Sequence, residues 1–200
     1  MNRKPAILIL AAGASSRMRG ADKLLAQVGD EALLRRIARA AVQTGAPVFV
    51  ALPPDSPARR LALADLTVEV VLVEDAALGM SASIRAGVLA AQTAPGLMIL
   101  PADMPELDCE DLRCLIAAFA QHPGQIWRAT AADGTQGHPV VFPAAAFGDL
   151  AALQGDEGAR QVLIRHADNV SLLALPLRHA VTDLDTPEDW AAWRARNPVP

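Results

Sequence analysis

The sequence lacks the features that mark general nucleic-acid-binding proteins and membrane-spanning proteins. Its 200 residues include 18 Lys or Arg against 22 Asp or Glu, which gives a formal net charge of −4. General nucleic-acid binders usually carry an excess of cationic side chains, so we expect no nucleic-acid partner. The first apolar run, residues 6–12, is too short to cross a bilayer and has no cleavage region after it. We therefore expect a cytoplasmic protein with no membrane contact.

Three common signatures are also missing. The two cysteines, Cys109 and Cys114, are five residues apart, a spacing that matches no zinc or redox motif, so they are predicted to be packed thiols. The Walker ending Gly-Lys-Ser/Thr and the dinucleotide fingerprint Gly-x-Gly-x-x-Gly are absent, which disfavours a P-loop NTPase and a Rossmann dehydrogenase. What remains is an ordinary globular composition, 52% apolar and 20% charged. We expect one domain over residues 1–200.

Apolar runs alternate with longer helical patterns along the chain. In the first half, strands are predicted at residues 6–11, 47–52, 68–73 and 96–100, and helices at 32–44 and 83–93. The run at 68–73 is nearly all apolar, as in a strand covered on both faces. In the second half, helices are predicted at 111–119, 158–166 and 187–196, and strands at 126–131, 139–142 and 170–175. This order predicts a three-layer α/β/α fold with a mostly parallel sheet.

A loop rich in small residues follows the first strand directly. Residues 10–18 read Leu-Ala-Ala-Gly-Ala-Ser-Ser-Arg-Met, and Lys23 comes five residues later. Ligands of open parallel sheets bind beyond the carboxyl ends of the strands, which is where this loop lies. Small residues let backbone N–H groups approach a polyphosphate, Arg17 can fork onto phosphate oxygens, and Lys23 can add a point charge. The pattern favours a phosphate-binding loop over a solvated loop with incidental charges.

The same segment resembles a known signature. Leu-Ala-Ala-Gly-x-Ser-x-Arg-Met followed by Lys is similar to the first motif of the MobA-like NTP transferases that act on molybdopterin, and most similar to molybdenum cofactor cytidylyltransferases. The resemblance implies a Rossmann-like nucleotidyltransferase fold, shared with the nucleotide-diphospho-sugar transferases. The nucleotide contacts that it implies in this loop are Leu10, Ala11, Ala12, Gly13, Ser15 and Lys23.

A second motif, Leu-Gly-Met-Ser-Ala-Ser at residues 78–83, leads into a predicted helix. Ser81 or Ser83 can cap that helix, which is the plainer interpretation. Gly-Met-Ser-x-Ser is also similar to the family segment that closes over the nucleotide base, so the resemblance implies base contacts from Gly79, Ser81 and Ser83. The family often has Asn-Pro ahead of this segment, where this chain has Val-Glu-Asp at residues 73–75.

A third motif places Asp103 just after a buried apolar strand, in the segment Leu-Met-Ile-Leu-Pro-Ala-Asp-Met-Pro at residues 97–105. A carboxylate at the mouth of a sheet needs a partner, and Mg²⁺ takes one or two protein carboxylates and completes its shell with water and phosphate oxygens. The alternative is an Asp that caps a turn or the helix at 107–119. Pro-Ala-Asp-Met-Pro resembles the family's metal-binding motif, which implies Asp103 as the principal Mg²⁺ ligand. The same motif implies nucleotide contacts from Pro101 and Ala102.

A second carboxylate is expected from Thr-Asp-Leu-Asp-Thr-Pro-Glu-Asp at residues 182–189. Thr186 suits a helix N-cap, Pro187 suits the first helical position, and the acidic residues that follow suit the helix dipole. The family has a similar Asp-x-Asp-Thr-Pro-Glu-Asp segment before its last helix. The resemblance therefore implies that Asp185 also faces the metal, with Asp183 as the alternative.

Two further motifs concern the acceptor. Gly-His-Pro-Val-Val-Phe at residues 137–142 resembles the family strand on the acceptor side and implies that His138 hydrogen-bonds an acceptor phosphate in its charged form, although a His beside Pro is usually structural. Gly-Asp-Glu-Gly-Ala-Arg at residues 155–160 can hold an anion or simply start a helix with Asp156 as its cap. This segment is similar to the molybdopterin-handling branch. The acceptor contacts that it implies are Gly155, Asp156 and Arg160.

Together, the resemblance implies CMP transfer from CTP to the phosphate of molybdopterin, with Mg²⁺ as cofactor and Arg17, Lys23 and Asp103 as the catalytic residues. CTP is expected over GTP because the guanylyl branch tends to carry Leu-Ala-Gly-Gly, whereas Ala12 narrows this loop. Guanylyl transfer, cytidylyl transfer to methylerythritol phosphate or a sugar phosphate, and a non-catalytic cofactor-delivery module are the alternatives. A molybdoenzyme or its chaperone is the further partner that it implies.

Overall fold

The computed structural model describes residues 4–156 and 158–197 of the chain. Its strands are β1 (Ala6–Leu10), β2 (Gln27–Val28), β3 (Glu31–Ala32), β4 (Val48–Leu52), β5 (Glu69–Leu72), β6 (Gly96–Pro101), β7 (Ile126–Thr130), β8 (Gln136–Pro143) and β9 (Val170–Ala174). Its α-helices are α1 (Leu33–Gln43), α2 (Pro57–Ala62), α3 (Met80–Ala90), α4 (Cys109–Gln121), α5 (Phe147–Ala151), α6 (Arg160–Arg165) and α7 (Pro187–Arg196). Within these ranges, no helix is both long and apolar enough to cross a membrane.

Seven strands form one sheet in the order β5-β4-β1-β6-β8-β7-β9. Neighbouring strands run parallel except where β8 pairs antiparallel with β6 and with β7. The mostly parallel sheet predicted from the alternation of elements is confirmed. Because β1 and β6 are parallel neighbours near the middle of the sheet, the loops after both strands emerge side by side at its carboxyl edge.

Helices cover the sheet on both faces, which confirms the three layers. Along β1, Ile7 and Ile9 belong to one buried cluster, which includes residues of α1, α4 and α7. Ala6 and Leu8 belong to a second cluster on the opposite face, which includes residues of α3, α5 and α6. This alternation follows from the two-residue period of a strand. Each large aliphatic side chain buried here contributes roughly 1.5–3 kcal/mol to folding, so the two cores hold the sheet edge in a fixed shape.

Several element boundaries differ from those predicted. The strand expected at 68–73 to be covered on both faces is instead the edge strand β5, in which Glu69 and Leu72 are exposed. An apolar run shows that the side chains are hydrophobic but not which elements cover them. The prediction that this strand is covered on both faces was therefore wrong. Helix α3 begins at Met80, three residues earlier than predicted, and the conformation of Gly79 (φ 106°) marks its start.

Three elements were not predicted at all: α2, α5 and the ribbon of β2 with β3. Each of these helices and strands has six residues or fewer, which is too short for a periodic pattern to appear. Cys109 is half-buried and Cys114 is exposed, so the prediction that both thiols are packed is wrong for Cys114. Asp108, rather than Asp103, caps α4, with Asp111 completing a capping box.

Candidate active site

A cleft of about 1040 Å³ opens at the carboxyl edge of the sheet, above the ends of β1 and β6. The two strands are in register, Leu10 beside Pro101, and the N–H of Ala102 donates to the carbonyl oxygen of Leu10 at 3.2 Å. This pairing continues just past the strands, so the small-residue loop and the Pro-Ala-Asp segment leave the sheet together. The cleft is therefore built where the topology brings the first and third motifs side by side.

The loop after β1 is built from short turns. It contains two short 3₁₀ helices, Ser16–Met18 and Lys23–Leu25, and Met18 and Leu24 from these turns are buried. Asp22 caps the second turn by accepting a hydrogen bond from the N–H of Leu24 at 3.0 Å. Lys23, the next residue, is thereby presented to the cleft by a capped turn.

Arg59 of α2, which belongs to no motif, anchors this loop through contacts with Asp22 and Ala11. The residue is 6% exposed, and its guanidinium donates to Asp22 from Nε at 2.6 Å and from Nη2 at 3.0 Å. It also donates from Nη1 to the carbonyl oxygen of Ala11 at 2.6 Å. Burial by itself would raise the pKa of Asp22, but the hydrogen bonds and charge of Arg59 outweigh it, so the pKa is lowered. Ser15 donates to the same carboxylate at 3.2 Å and thus serves the loop's own structure.

Lys23 lies between two carboxylates that come from distant parts of the chain. Its Nζ donates to Oδ2 of Asp103 at 2.5 Å and to Oδ1 of Asp185 at 2.6 Å. Arg17, mostly exposed, contacts the other oxygen of Asp185 at 2.7 Å. Burial alone would lower the pKa of Lys23, but the two carboxylates raise it above its usual value, so the ammonium stays charged. All three residues predicted to be catalytic, Arg17, Lys23 and Asp103, thus meet at one point with Asp185.

The acidic side of the cleft suits a hard divalent cation. Asp103 and Asp185 lie within hydrogen-bonding distance of a single ammonium, so their oxygens already converge on a cation. Asp183 also lines the cleft, and burial followed by the negative charges of Asp103 and Asp185 raises its pKa. No cluster of three or more metal-ligating side chains occurs in the described part of the chain. Two carboxylates with room for water and phosphate oxygens are the donor set that Mg²⁺ takes, so the residues fit it.

The second motif contributes another part of the cleft lining. Gly79, Met80 and Ser83 line it, whereas Ser81 is fully buried behind them and its hydroxyl accepts a hydrogen bond from Arg85 at 3.1 Å. Neither serine caps α3, because its N-cap is Gly79 and no side-chain capping bond is present. The prediction that Ser81 or Ser83 caps this helix is therefore wrong.

The segment at 155–160 packs directly onto the second motif. The N–H of Ser81 donates to the carbonyl oxygen of Gly155 at 3.2 Å, and a Cβ on Gly79 would meet Oδ1 of Asp156 at 2.2 Å. Asp156 thereby reaches the cleft lining, whereas Arg160 is exposed at the start of α6 and is not among the lining residues. Asp156 does not cap α6, whose N-cap is Ala159. Glu157 of this motif lies outside the described residues.

His138 lines the cleft on the side of β8. Burial, followed by the nearby charge of Arg128 and opposed by Asp103, lowers its pKa from 6.5 to about 4. Its ring is therefore neutral near pH 7, which corrects the expectation of a charged His138. Its Nδ1 is buried and makes no hydrogen bond to the described residues.

The cleft gathers most, but not all, of the residues predicted for it. The predicted site residues that line it are Leu10, Ala12, Gly13, Arg17, Lys23, Gly79, Ser83, Pro101, Asp103, His138, Asp156 and Asp185. Those that do not line it are Ala11, Ser15, Ser81, Ala102, Gly155 and Arg160. Its lining also includes Arg178 and Thr135, which no pattern in the sequence predicts because neither belongs to a recognisable motif.

Comparison with known proteins gives matches at the level of sequence. The MobA-like NTP transferase domain family matches residues 7–170 of the chain. The purine catabolism protein PucB of Bacillus subtilis is 30% identical over 120 residues, which cover 58% of this chain and 57% of PucB. The chain thus spans a little over half the length of this curated relative.

Solved structures match over nearly the whole chain. Rv0371c from Mycobacterium tuberculosis is 29% identical with a TM-score of 0.82, covering 95% of this chain and 97% of that one. A second structure of Rv0371c, in complex with manganese, is 27% identical with a TM-score of 0.78 and the same coverage. The 4-diphosphocytidyl-2C-methyl-D-erythritolsynthase of Anaerococcus prevotii is 13% identical with a TM-score of 0.76, covering 99% and 97% of the two chains. At that identity the likeness shows the fold alone, and it agrees with the Rossmann-like nucleotidyltransferase fold expected from the sequence.

Proposed function

This chain belongs to the MobA-like NTP transferase domain family, and we propose that it transfers CMP from CTP to the terminal phosphate of molybdopterin in the cytoplasm. The products are molybdopterin cytosine dinucleotide and pyrophosphate. The observation that carries the proposal is the contact of Lys23 with Asp103 and Asp185 at the mouth of the cleft, beside the small-residue loop. This arrangement combines cations for a triphosphate with acids for a divalent metal ion.

The reaction needs no nucleophile from the protein. An oxygen of the acceptor phosphate forms a bond to the α-phosphorus of CTP, and the bond from that phosphorus to the bridging oxygen of the β-phosphate breaks. Pyrophosphate leaves with the bonding electron pair. Both reactants are anionic, so the barrier contains a large contribution from charge repulsion and misalignment. Arg17 and Lys23 neutralise the charge that builds on the leaving pyrophosphate, and losing one such cation typically costs on the order of 3 kcal/mol, roughly a hundredfold in rate.

We assign the metal position to Asp103 and Asp185, with Asp183 next to them. A Mg²⁺ ion held by these carboxylates would act as a Lewis acid and withdraw electron density from phosphate oxygens. Rv0371c, which is 27% identical to this chain, has been solved in complex with manganese, and this supports the assignment of a divalent metal ion. The convergence of two carboxylates on one ammonium supports the same position in this chain.

We assign the base pocket to the small-residue loop and the start of α3. Ala12 lines the cleft, and its methyl group narrows the loop where the guanylyl branch tends to carry Gly, which favours the smaller pyrimidine. Gly79 and Ser83 at the start of α3 also line the cleft, whereas Ser81 is fully buried and does not line it. Asp156 and the neutral His138 also line the cleft.

The partner to which the product passes is a molybdoenzyme or its chaperone.

The direct test is pyrophosphate release from CTP, GTP and ATP by the purified protein with molybdopterin and Mg²⁺. We expect turnover with CTP well above that with the other two nucleotides. Faster turnover with GTP would overturn the base assignment and leave the enzyme class intact. Binding of CTP with no pyrophosphate release from any acceptor would indicate a delivery module instead of an enzyme.

A further inference from the structure

The cationic side chains of the cleft are not equivalent. Arg17 is paired with Asp185, and Lys23 is paired with Asp103 and Asp185. Arg178 is the remaining Lys or Arg among the lining residues, and within the described part of the chain it has no carboxylate oxygen within 4.0 Å. An incoming anion therefore finds one guanidinium in the cleft whose donors are not already engaged by an acid.

Arg178 also lies on the wall that the nucleotide loop does not form. It lines the cleft together with Thr135, Gln136 and His138 of β8 and the turn before it, and the N–H of His138 donates to the carbonyl oxygen of Ala180, two residues after Arg178, at 2.8 Å. The charge of Arg178 contributes, after the hydrogen bonds from Thr135, to the lowered pKa of Asp133. The guanidinium therefore lies toward the turn between β7 and β8.

The turn that carries Arg178 is held firmly to the sheet. Leu177, the preceding residue, has a left-handed conformation (φ 47°) that is uncommon for a residue other than Gly. Its carbonyl oxygen accepts a hydrogen bond from the N–H of Ala132 at 2.9 Å, and His179 bonds through Nδ1 to the buried Asp111 at 2.7 Å. A residue in such a conformation persists only where the surroundings fix it, which often occurs at functional sites. The backbone around Arg178 is thus pinned on both sides while its side chain remains exposed.

We propose that Arg178 binds the phosphate of the acceptor and so determines selectivity for phosphomonoester acceptors. This inference rests on the proposed function, because it concerns the second substrate of the same cleft. It moves the acceptor's anion contact from Arg160, which is exposed outside the cleft, to a residue that no motif predicted. The planar guanidinium presents paired donors that match two oxygens of a phosphate.

The test separates the two substrates kinetically. In the Arg178→Ala variant we expect KM for the acceptor to rise roughly 10- to 100-fold, the loss typical of one charge-assisted hydrogen-bonded contact. KM for CTP should change by no more than about twofold, which also shows that the variant is folded. Arg178→Lys keeps the charge without the fork, so it should recover part of the loss. Arg196→Ala, an exposed arginine of α7 away from the cleft, is the matched control.

The outcomes distinguish this inference from the proposed function. If another phosphorylated acceptor replaces molybdopterin, the acceptor assignment falls, while Arg178→Ala must still raise KM for that phosphomonoester. An unchanged acceptor KM in Arg178→Ala, or an equal rise in KM for both substrates, would overturn the role of Arg178. So would an Arg178→Lys variant that is no better than Arg178→Ala.

Discussion

Lys23 donates a hydrogen bond from Nζ to Oδ2 of Asp103 at 2.5 Å, although the two residues are 80 positions apart in the sequence. The same ammonium reaches Asp185 at 2.6 Å. The cation of the nucleotide loop therefore contacts the two acids to which we assign the metal ion. One charge cannot stay in full contact with both carboxylates while a divalent ion binds them, so the two cations compete.

Removing the ammonium should therefore strengthen metal binding in the absence of nucleotide. We expect Lys23→Met to bind Mn²⁺ roughly tenfold more tightly than the wild type, since the competing charge is gone. Calorimetric titration with Mn²⁺ measures this without any need for turnover. Lys4→Met removes the other lysine of the chain, which lies at the far end of β1, and should leave Mn²⁺ affinity unchanged. Weaker Mn²⁺ binding by Lys23→Met would contradict the competition.

Replacing Asp103 by Asn should abolish turnover and preserve the fold. The amide is nearly the same size and its oxygen can still accept from Lys23, but it loses the charge that a divalent ion requires. We expect turnover to fall at least about a hundredfold, measured as pyrophosphate release, with an unchanged circular dichroism spectrum. Asp30→Asn, at an exposed position, is the control. A fully active Asp103→Asn protein would remove the proposed mechanism.

Arg59 should matter more for stability than its neighbour Arg60. Arg59→Ala leaves Asp22 without its guanidinium and the carbonyl oxygen of Ala11 without a donor. We expect a loss of about 2–3 kcal/mol in the free energy of unfolding, below the value for a fully buried pair because Asp22 is partly exposed. Arg60→Ala, in the same helix but exposed, should change stability by less than about 0.5 kcal/mol. Urea denaturation of the three proteins measures both differences.

The effect of Arg59 should also depend on pH. The pKa of Asp22 in the folded protein lies below its ordinary value of 3.8, so its contribution is present above that pH and is lost as the pH falls through the lowered pKa. The gap in stability between the wild type and Arg59→Ala should therefore be full near neutral pH and shrink in acid. A gap that stays constant down to the acid limit of folding would show that Arg59 acts through packing alone.

His138 should make the protein less stable as the pH falls. Its pKa is about 4 in the folded protein against an ordinary value of 6.5, so between these values the unfolded chain binds a proton that the folded protein does not. The free energy of unfolding then falls by up to about 1.4 kcal/mol per pH unit from this group. We expect His138→Gln to lose less stability than the wild type between about pH 7 and about pH 5 in denaturant titrations. His122→Gln, at an exposed position, should follow the wild type; if His138→Gln does the same, the ring is not buried in its neutral form.

Local patterns predicted the strands and helices that bury a regular apolar face. Leu33, Leu34 and Ile37 recur at helical spacing, and α1 places all three in the core. The start of the last helix was also predicted from the sequence, because Thr186 caps it and Pro187 occupies its first turn. In the structure, Asp189 completes a capping box with Thr186. These features depend on residues within one turn of each other, so the sequence carries them directly.

The position of two motifs directly after strands also predicted that the small-residue loop and Asp103 lie at the carboxyl edge of the sheet, and both line the cleft there. Parallel neighbouring strands bring their carboxyl ends to one edge, which is why this loop and Asp103 are neighbours, but the direct contact of Lys23 with Asp103 was not predicted. The same reasoning could not place Arg160 outside the cleft or Ser81 behind its wall, because a motif fixes residue types but not the direction of each side chain.

The sequence by itself determined the three layers, the mostly parallel sheet and the charged residues that follow its central strands. These features depend on periodicity and on the residues just after each strand. Only the tertiary structure decided that β5 lies at the edge, that the buried Arg59 anchors the loop after β1, and that Arg178 lines the cleft without a salt bridge to any described residue. The physical reason is that burial and pairing are properties of neighbours in space. Those neighbours are dozens of residues away in the chain, where no local pattern records them.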